Sequence, residues 1–187
     1  NRLPPDELDV VDYMPPTTPK LGDMEPGSLI PLMSEPAAMR LARNCSMAQL
    51  EARDGRGNTL LYWAAAEGRE DLVNILLYRG VDPNLQNYSA ETPLFVATSK
   101  GYLTICQKLL EFGANPNIAN LDGATPLHVA AAEGDVNAMY LLLYYGAYIN
   151  AQDLEGDTPL HWAVREGKLE SVQYLVESKA NIQLVNE

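Results

Sequence analysis

The chain has 187 residues, of which 47% are hydrophobic and 20% charged, and this length suffices for one or two ordinary domains. Its formal net charge of −12 repels the phosphates of nucleic acids, and no run of residues approaches the ~20 apolar residues that span a bilayer. Composition therefore argues against a nucleic-acid partner and against membrane insertion. The two cysteines, Cys45 and Cys106, are too few for a disulfide framework, so we predict a reducing, cytoplasmic location.

Residues 1–20 are predicted to form an extended, acidic, proline-rich tail. Eight of the 13 prolines lie in residues 1–36, and this density favours extended or polyproline-like backbone. A small apolar island lies among the acidic residues of the tail: Leu8, Val10, Val11, Tyr13 and Met14. Such a segment can be a disordered linker, can pack on the outside of its own chain or can contact another chain. We favour contact with another chain.

Residues 21–53 are predicted to be a degenerate repeat that caps the N-terminal end of the array described next. Residues 36–50 carry apolar residues at the spacing of one more helix pair, whereas residues 22–33 match the later repeats in length only. Repeat arrays need such caps because an end repeat has no neighbour to cover its apolar face.

From residue 54 the chain repeats every 33 residues, which gives four units, repeats 1 to 4: 54–86, 87–119, 120–152 and 153–187. The same residue types return at equivalent positions, or slots: Thr59, Thr92, Thr125 and Thr158; Gly68, Gly101, Gly134 and Gly167; Asn84, Asn117 and Asn150. So many matched slots at one fixed interval indicate a stack of equivalent structural units.

Repeat 3 illustrates the structure that one unit predicts. Thr125 and Pro126 suit the start of a helix, where threonine caps free amides and proline loses no hydrogen bond. Gly134 ends this helix, and a second amphipathic helix follows over residues 136–143 before Gly146. A turn-rich, hairpin-like loop leads to the next unit. One unit is therefore a helix-turn-helix with a loop, and stacked units bury one another's apolar faces in a solenoid.

The chain resembles the ankyrin repeat family in the motifs TPLH, at residues 125–128 and 158–161, and LLEFGANPN, at residues 109–117. The resemblance covers residues 54–187, with residues 21–53 as a degenerate member. It implies an all-α fold with short β-hairpin loops, built as an ankyrin-repeat solenoid of four clear repeats plus the degenerate one. It also implies that partner proteins bind to the hairpin tips and to the inner helices on the concave face.

No residue is predicted to be catalytic, to bind a cofactor or to hold a metal, because the sequence lacks motifs such as GxxxxGK[ST], HExxH and GxSxG. His128 and His161 share a slot with Tyr62 and Phe95, a variation that a metal site would not tolerate. We therefore predict that each imidazole is hydrogen-bonded and ties a turn to its neighbour. The tryptophan slot also holds valine, which indicates packing: Trp63, Val96, Val129 and Trp162. The chain is predicted not to be an enzyme.

Partner binding is predicted in slots that stacking leaves free. An apolar strip on the hairpin tips consists of Tyr88, Leu121 and Leu154. Its acidic rim consists of Glu91, Asp122, Glu155 and Asp157, and the inner helices add two cations, Lys100 and Arg165. Apolar anchors with an acidic rim suit a partner segment that carries basic and hydrophobic side chains. Alternatively, the apolar strip covers neighbouring loops and binds nothing.

A second candidate surface is the pair Tyr140 and Tyr144, at i and i+4 on the outer helix of repeat 3, which would bind the N-terminal tail or a partner. Together these features favour a non-catalytic interaction scaffold. The alternative is a structural subunit of a large assembly, strapped in by its N-terminal tail.

The last repeat departs from the others at Lys179, which stands where they have glycine. Either the turn there adopts a left-handed conformation at a cost of roughly 1 kcal/mol, or the turn differs. The second helix of this repeat is not an obviously polar cap. We therefore expect either that something absent from this sequence covers the last repeat or that the sequence is a piece of a longer protein that continues past Glu187, and we favour the second.

Overall fold

A computed structural model describes residues 35–183, which form ten α-helices and no β-strand. The predicted tail, residues 21–34 of the degenerate repeat and residues 184–187 lie outside the described residues. The helices are α1 (Glu35–Asn44), α2 (Met47–Leu50), α3 (Leu60–Ala66), α4 (Glu70–Tyr78), α5 (Pro93–Ser99), α6 (Leu103–Glu111), α7 (Pro126–Glu133), α8 (Val136–Tyr144), α9 (Pro159–Arg165) and α10 (Leu169–Glu177). The predicted all-α fold class is confirmed.

The helices stack in two rows. The inner row contains α3, α5, α7 and α9, the outer row contains α1, α4, α6, α8 and α10, and each helix packs against the next in its row. A continuous apolar core runs between the rows from Ala42 to Leu175. One inner-helix slot is alanine in all four repeats, with no exposed surface: Ala64, Ala97, Ala130 and Ala163. These small side chains let neighbouring inner helices approach closely, so each repeat buries apolar surface against the next.

The inner helices begin as the Thr-Pro motif predicts. The Thr92 hydroxyl accepts a hydrogen bond from the Phe95 amide at 3.2 Å, and Pro93 occupies the first helical position. Thr59 caps α3 in the same way, although the residue that follows it is leucine. Each such cap stabilises its helix by about 1 kcal/mol.

His128 connects repeats 3 and 4, and its predicted scaffold role is confirmed. Its Nδ1 accepts the Thr125 amide at 3.1 Å, so the ring proton is on Nε2, which donates to the Asp157 carbonyl at 2.9 Å. The side chain is fully buried, and burial lowers the pKa of His128, which keeps the imidazole neutral. His161 makes the same contact with Thr158 but is half-buried.

The turn after each outer helix is left-handed in all four repeats. Gly80, Gly113 and Gly146 have φ between 85° and 90°, and Lys179 has φ of 69°. The last repeat therefore keeps the geometry of the others and accepts the backbone cost of a non-glycine residue, about 1–2 kcal/mol.

Helix α1 of the degenerate repeat belongs to the outer row. The guanidinium of Arg79, at the end of α4, donates to the carbonyls of Ala42 at 2.6 Å, Arg43 at 2.7 Å and Cys45 at 2.8 Å. Arg79 thus satisfies carbonyl groups at the end of α1 that have no partner within the helix.

Candidate protein-binding surface

The hairpin tips form one continuous edge because each tip is bonded to the tip before it. The amides of Tyr88, Leu121 and Leu154 donate to the carbonyls of the preceding repeat's tip, at distances of 2.9–3.0 Å. This ladder places all three predicted apolar residues in equivalent positions along the edge. Their side chains are 67%, 63% and 76% exposed, respectively. Because successive repeats lie about 10 Å apart, they are three separate contacts and not one continuous patch.

The shape of each tip depends on one aspartate or asparagine. In repeat 2, Asn87 Oδ1 accepts the amides of Ser89 at 3.0 Å and Glu91 at 2.9 Å. The equivalent residues close the other tips in the same manner: Asp54, Asn120 and Asp153. The aspartate or asparagine oxygen thus accepts backbone amides of its own tip, and it fixes the conformation of the tip although no β-strand is present there.

The tryptophans add a hydrogen bond to the packing role predicted for them. Trp63 Nε1 donates to Asp54 Oδ2 at 2.8 Å, and Trp162 Nε1 donates to Asp153 Oδ2 at 2.9 Å. Burial alone would raise the pKa of Asp54, but this bond and the backbone amides outweigh it, so the pKa is lowered. Repeats 1 and 4 therefore hold their tips by a charge-assisted bond to an inner helix.

A cleft of about 690 Å³ opens on the concave face between repeats 1 and 2. Its lining includes aromatic and charged side chains: Arg56, Tyr62, Glu67, Tyr88, Glu91, Lys100 and Tyr102. Two of these rings lie against glycine backbone of repeat 1. A Cβ at Gly57 would come within 2.6 Å of Tyr88 Cδ1, and one at Gly68 within 3.0 Å of Tyr102 Cζ. The Tyr88 ring is thus supported on one face while two thirds of the side chain remains exposed.

Two predicted acidic contacts bond within the chain instead. Glu91 is half-buried, and Oε2 accepts from Tyr62 Oη at 2.7 Å and Asn87 Nδ2 at 3.2 Å. Burial raises the pKa of Tyr62, and the adjacent Glu91 raises it further, so the phenol stays protonated as the donor. Asp157 is 3% exposed, and its Oδ2 accepts from Arg165 Nη1 at 2.7 Å. The prediction that Asp157 is an exposed acidic contact is therefore wrong, because its slot lies under the tip.

A family model described as Ankyrin repeats (3 copies) matches residues 61–153 and, in a second register, residues 94–186. The chain belongs to the ankyrin repeat family. Ankyrin repeats are generally protein–protein interaction modules. Neurogenic locus notch homolog protein 1 of Mus musculus, Rattus norvegicus and Cricetulus griseus is 41% identical to this chain over 51 residues. That match covers 27% of this chain and only 2% of each notch protein.

Charged side chains of both signs lie on the concave side of the ankyrin array. Arg56, Lys100 and the exposed Glu67 line the cleft between repeats 1 and 2. Asp122 and Glu155 are exposed at the tips of repeats 3 and 4. Arg165 remains half-exposed in spite of its bond to Asp157, with its guanidinium 5.4 Å from the centre of the Trp162 ring. The predicted acidic rim is thus confined to the second half.

Sequence reasoning missed two tyrosines of the cleft. Tyr62 occupies the histidine slot, which suggested a scaffold residue, and it reaches the cleft because its hydroxyl extends to Glu91 of the next repeat. Tyr102 precedes α6 in a slot that holds Arg69, Asp135 and Lys168 in the other ankyrin repeats. An aromatic residue in a slot that is otherwise polar was the signal available for Tyr102.

The second candidate surface lies on the opposite side of the array. Tyr140 and Tyr144, both on α8, are 60% and 73% exposed. The concave and outer surfaces do not share residues, so they can be altered separately.

Other features of the described residues bear on chemistry and location. Cys45 and Cys106 are free and buried, and burial raises the pKa of the Cys106 thiol to about 11. Within residues 35–183, no three His, Cys, Asp or Glu side chains are grouped so as to hold a metal ion. None of the helices in that range is long and apolar enough to cross a bilayer.

Proposed function

We propose that this ankyrin array is a non-catalytic scaffold that holds a partner protein against its hairpin tips and its concave inner-helix face. The observation that carries the proposal is the Tyr88 side chain, which is 67% exposed at the edge of the 690 Å³ cleft and rests on Gly57. Exposed tyrosines are frequent energetic centres of protein interfaces. A ring already held by backbone loses little conformational freedom when a partner covers it.

The polar groups of the cleft support binding rather than catalysis. Glu91, which lines the cleft, is bonded to Tyr62 and Asn87, so this carboxylate serves the structure of the tip. A catalytic site needs polar groups that converge on the position of a reacting atom. The absence of such an arrangement among the side chains just named favours a non-enzymatic role.

The proposed partner segment is amphipathic. An apolar side chain would enter the cleft between Tyr88 and Tyr102, and further apolar groups would contact Leu121 and Leu154. Basic side chains would face Asp122 and Glu155, where charge complementarity favours encounter and register. A cytoplasmic location, suggested by the cysteines, remains a prediction.

The test is a combined substitution of Tyr88, Leu121 and Leu154 by alanine. Proteins retained by the wild-type chain from an extract of its source organism are identified, and the affinity of the retained partner is then measured with purified proteins. Loss of three exposed contacts is expected to weaken binding at least 10-fold, since interface tyrosines alone often contribute 1–2 kcal/mol or more. The melting temperature should not change.

The matched control is Tyr140→Ala with Tyr144→Ala, which removes two exposed tyrosines from the outer face. It should leave the affinity unchanged. If the outer-face variant loses the partner and the tip variant keeps it, the concave face is not the binding surface. The second role predicted from the sequence, a strapped subunit of an assembly, depends on residues outside the described range and gains no support from the cleft.

A further inference from the structure

The outer face of repeat 3 carries an exposed aromatic cluster. The rings of Tyr140 and Tyr144 are nearly parallel, with an angle of 25° and a centroid distance of 6.3 Å. Tyr145 meets Tyr144 edge to face at 5.3 Å. A cleft of about 280 Å³ runs beside these rings towards repeat 4, lined among others by Leu143, Ile149 and Tyr174. Within residues 35–183 the hydroxyl groups of Tyr140, Tyr144 and Tyr174 have no hydrogen-bond partner.

Stacking does not require these tyrosines. The Tyr140 slot holds Asn74, Gln107 and Gln173 in the other repeats, and the Tyr144 slot holds Glu111 and Glu177 in repeats 2 and 4. The polar residues pack the same outer row, so the fold tolerates polar side chains at both positions. An aromatic pair that a polar pair can replace is better explained by a ligand than by packing.

Aligned tyrosines beside a shallow cleft suit a segment in polyproline II conformation. Such segments bind grooves lined with aromatic residues, because their backbone is already extended and loses little entropy on binding. Prolines three residues apart lie on the same face, about 9 Å from each other. The segment PPTTPK at residues 15–20 has this spacing in Pro16 and Pro19.

The chain between this segment and the array is long enough to reach the cleft. Helix α1 and helix α8 are in the same outer row, separated by three steps of about 8–10 Å each. The distance along the row is thus about 30 Å, with about 10 Å more along α8. Residues 20–35 can span up to about 50 Å when extended. Contact within one molecule is therefore feasible.

We propose that the tyrosine cleft of repeats 3 and 4 binds the chain's own proline-rich segment, residues 15–20, in polyproline II conformation. The occupied outer face would hold the N-terminal tail along the back of the array. The concave face would stay free for the proposed partner. This proposal does not rest on the proposed function, since it concerns separate residues.

The test uses the full chain with a nitroxide attached at Lys20→Cys. Cys45 and Cys106 are buried, 8% and 1% exposed, so the label reacts with the new cysteine, and labelling of the unsubstituted chain checks this. The spin label should cause loss of amide signal intensity in isotope-labelled protein around residues 140–149 and 174–178. The signals should recover in Pro16→Ala with Pro19→Ala and, separately, in Tyr140→Ala with Tyr144→Ala.

Tyr78→Ala provides the matched control, because Tyr78 is 78% exposed in the Tyr144 slot of repeat 1 and does not line the cleft. It should keep the broadening at repeats 3 and 4. A mixture of spin-labelled chain with unmodified isotope-labelled chain should show none. Absence of broadening at the cleft, broadening that survives both double substitutions, or broadening only between molecules would each overturn the proposal.

Discussion

The contribution of the bond between repeats can be measured by comparing His128→Ala with His161→Ala. Both imidazoles accept the amide of a helix-capping threonine at 3.1 Å. His128 alone also donates to the next repeat, at the Asp157 carbonyl, and it has no exposed surface. The two substitutions therefore remove the same cap contact and differ in the connection between repeats.

The expected destabilisation follows from what each substitution leaves behind. His128→Ala leaves the Thr125 amide without its acceptor in an enclosed site, which costs about 1–3 kcal/mol, and adds a cavity the size of the ring. The Asp157 carbonyl keeps a bond from the Asp153 amide at 2.9 Å. We expect a total of about 3 kcal/mol. At His161 solvent can replace the half-buried ring, so we expect about 1 kcal/mol.

Urea unfolding followed by far-ultraviolet circular dichroism measures both values. With a slope of about 2 kcal/mol per molar urea, the two midpoints should differ by about 1 M. Equal destabilisation of the two variants would show that the bond to Asp157 and the burial of His128 add nothing, and would refute the reasoning.

Two further predictions concern acid and the last turn. The folded-state pKa of His128 lies below its unfolded value of about 6.5. The neutral imidazole therefore contributes fully to stability above about pH 6.5, and this contribution is lost as the pH falls towards the folded-state pKa. Urea titrations from pH 8 to pH 5 should show a fall in the free energy of unfolding, and this fall should be smaller in His128→Ala. Lys179→Gly should raise the free energy of unfolding by about 0.5–1 kcal/mol, because glycine removes the strain of about 1–2 kcal/mol at φ of 69° but loses more backbone entropy on folding. The reverse substitution, Gly146→Lys, should lower the free energy of unfolding by a similar amount, since a Cβ at this position would meet no atom within 4 Å. An unchanged free energy of unfolding in either variant would contradict the strain argument.

The period of the sequence predicted the fold because every repeat must offer the same contacts to its neighbours. Thr92 caps a helix, Gly113 forms a left-handed turn and Ala130 is buried between helices. Each of these roles recurs in every repeat, so the spacing of the residues reveals it. The position of α1 in the outer row also follows from its alignment one period before α4.

The site was harder to predict because exposure is not a property of one residue. The sequence predicts that the slot of Asp157 is part of the tip surface, yet this slot is buried or half-buried in every repeat: Asn58, Glu91, Ala124 and Asp157. The small apolar Ala124 in this slot was a sign that it faces inward. Tip residues that differ freely in size and charge, such as Tyr88 and Leu154, were placed correctly on the surface.

The tip of repeat 2 shows where stacking alone does not explain the sequence. The turn slot of the tips is glycine with positive φ in the other repeats, at Gly57, Gly123 and Gly156, whereas repeat 2 has Ala90 with φ of 58°. A left-handed alanine costs about 1–2 kcal/mol, and proteins tend to keep such strain at functional sites. Ala90 lies two residues after Tyr88, the exposed ring at the edge of the concave cleft. Stability would favour glycine at this position, so the departure falls in the tip whose side chain we propose as the main contact for a partner.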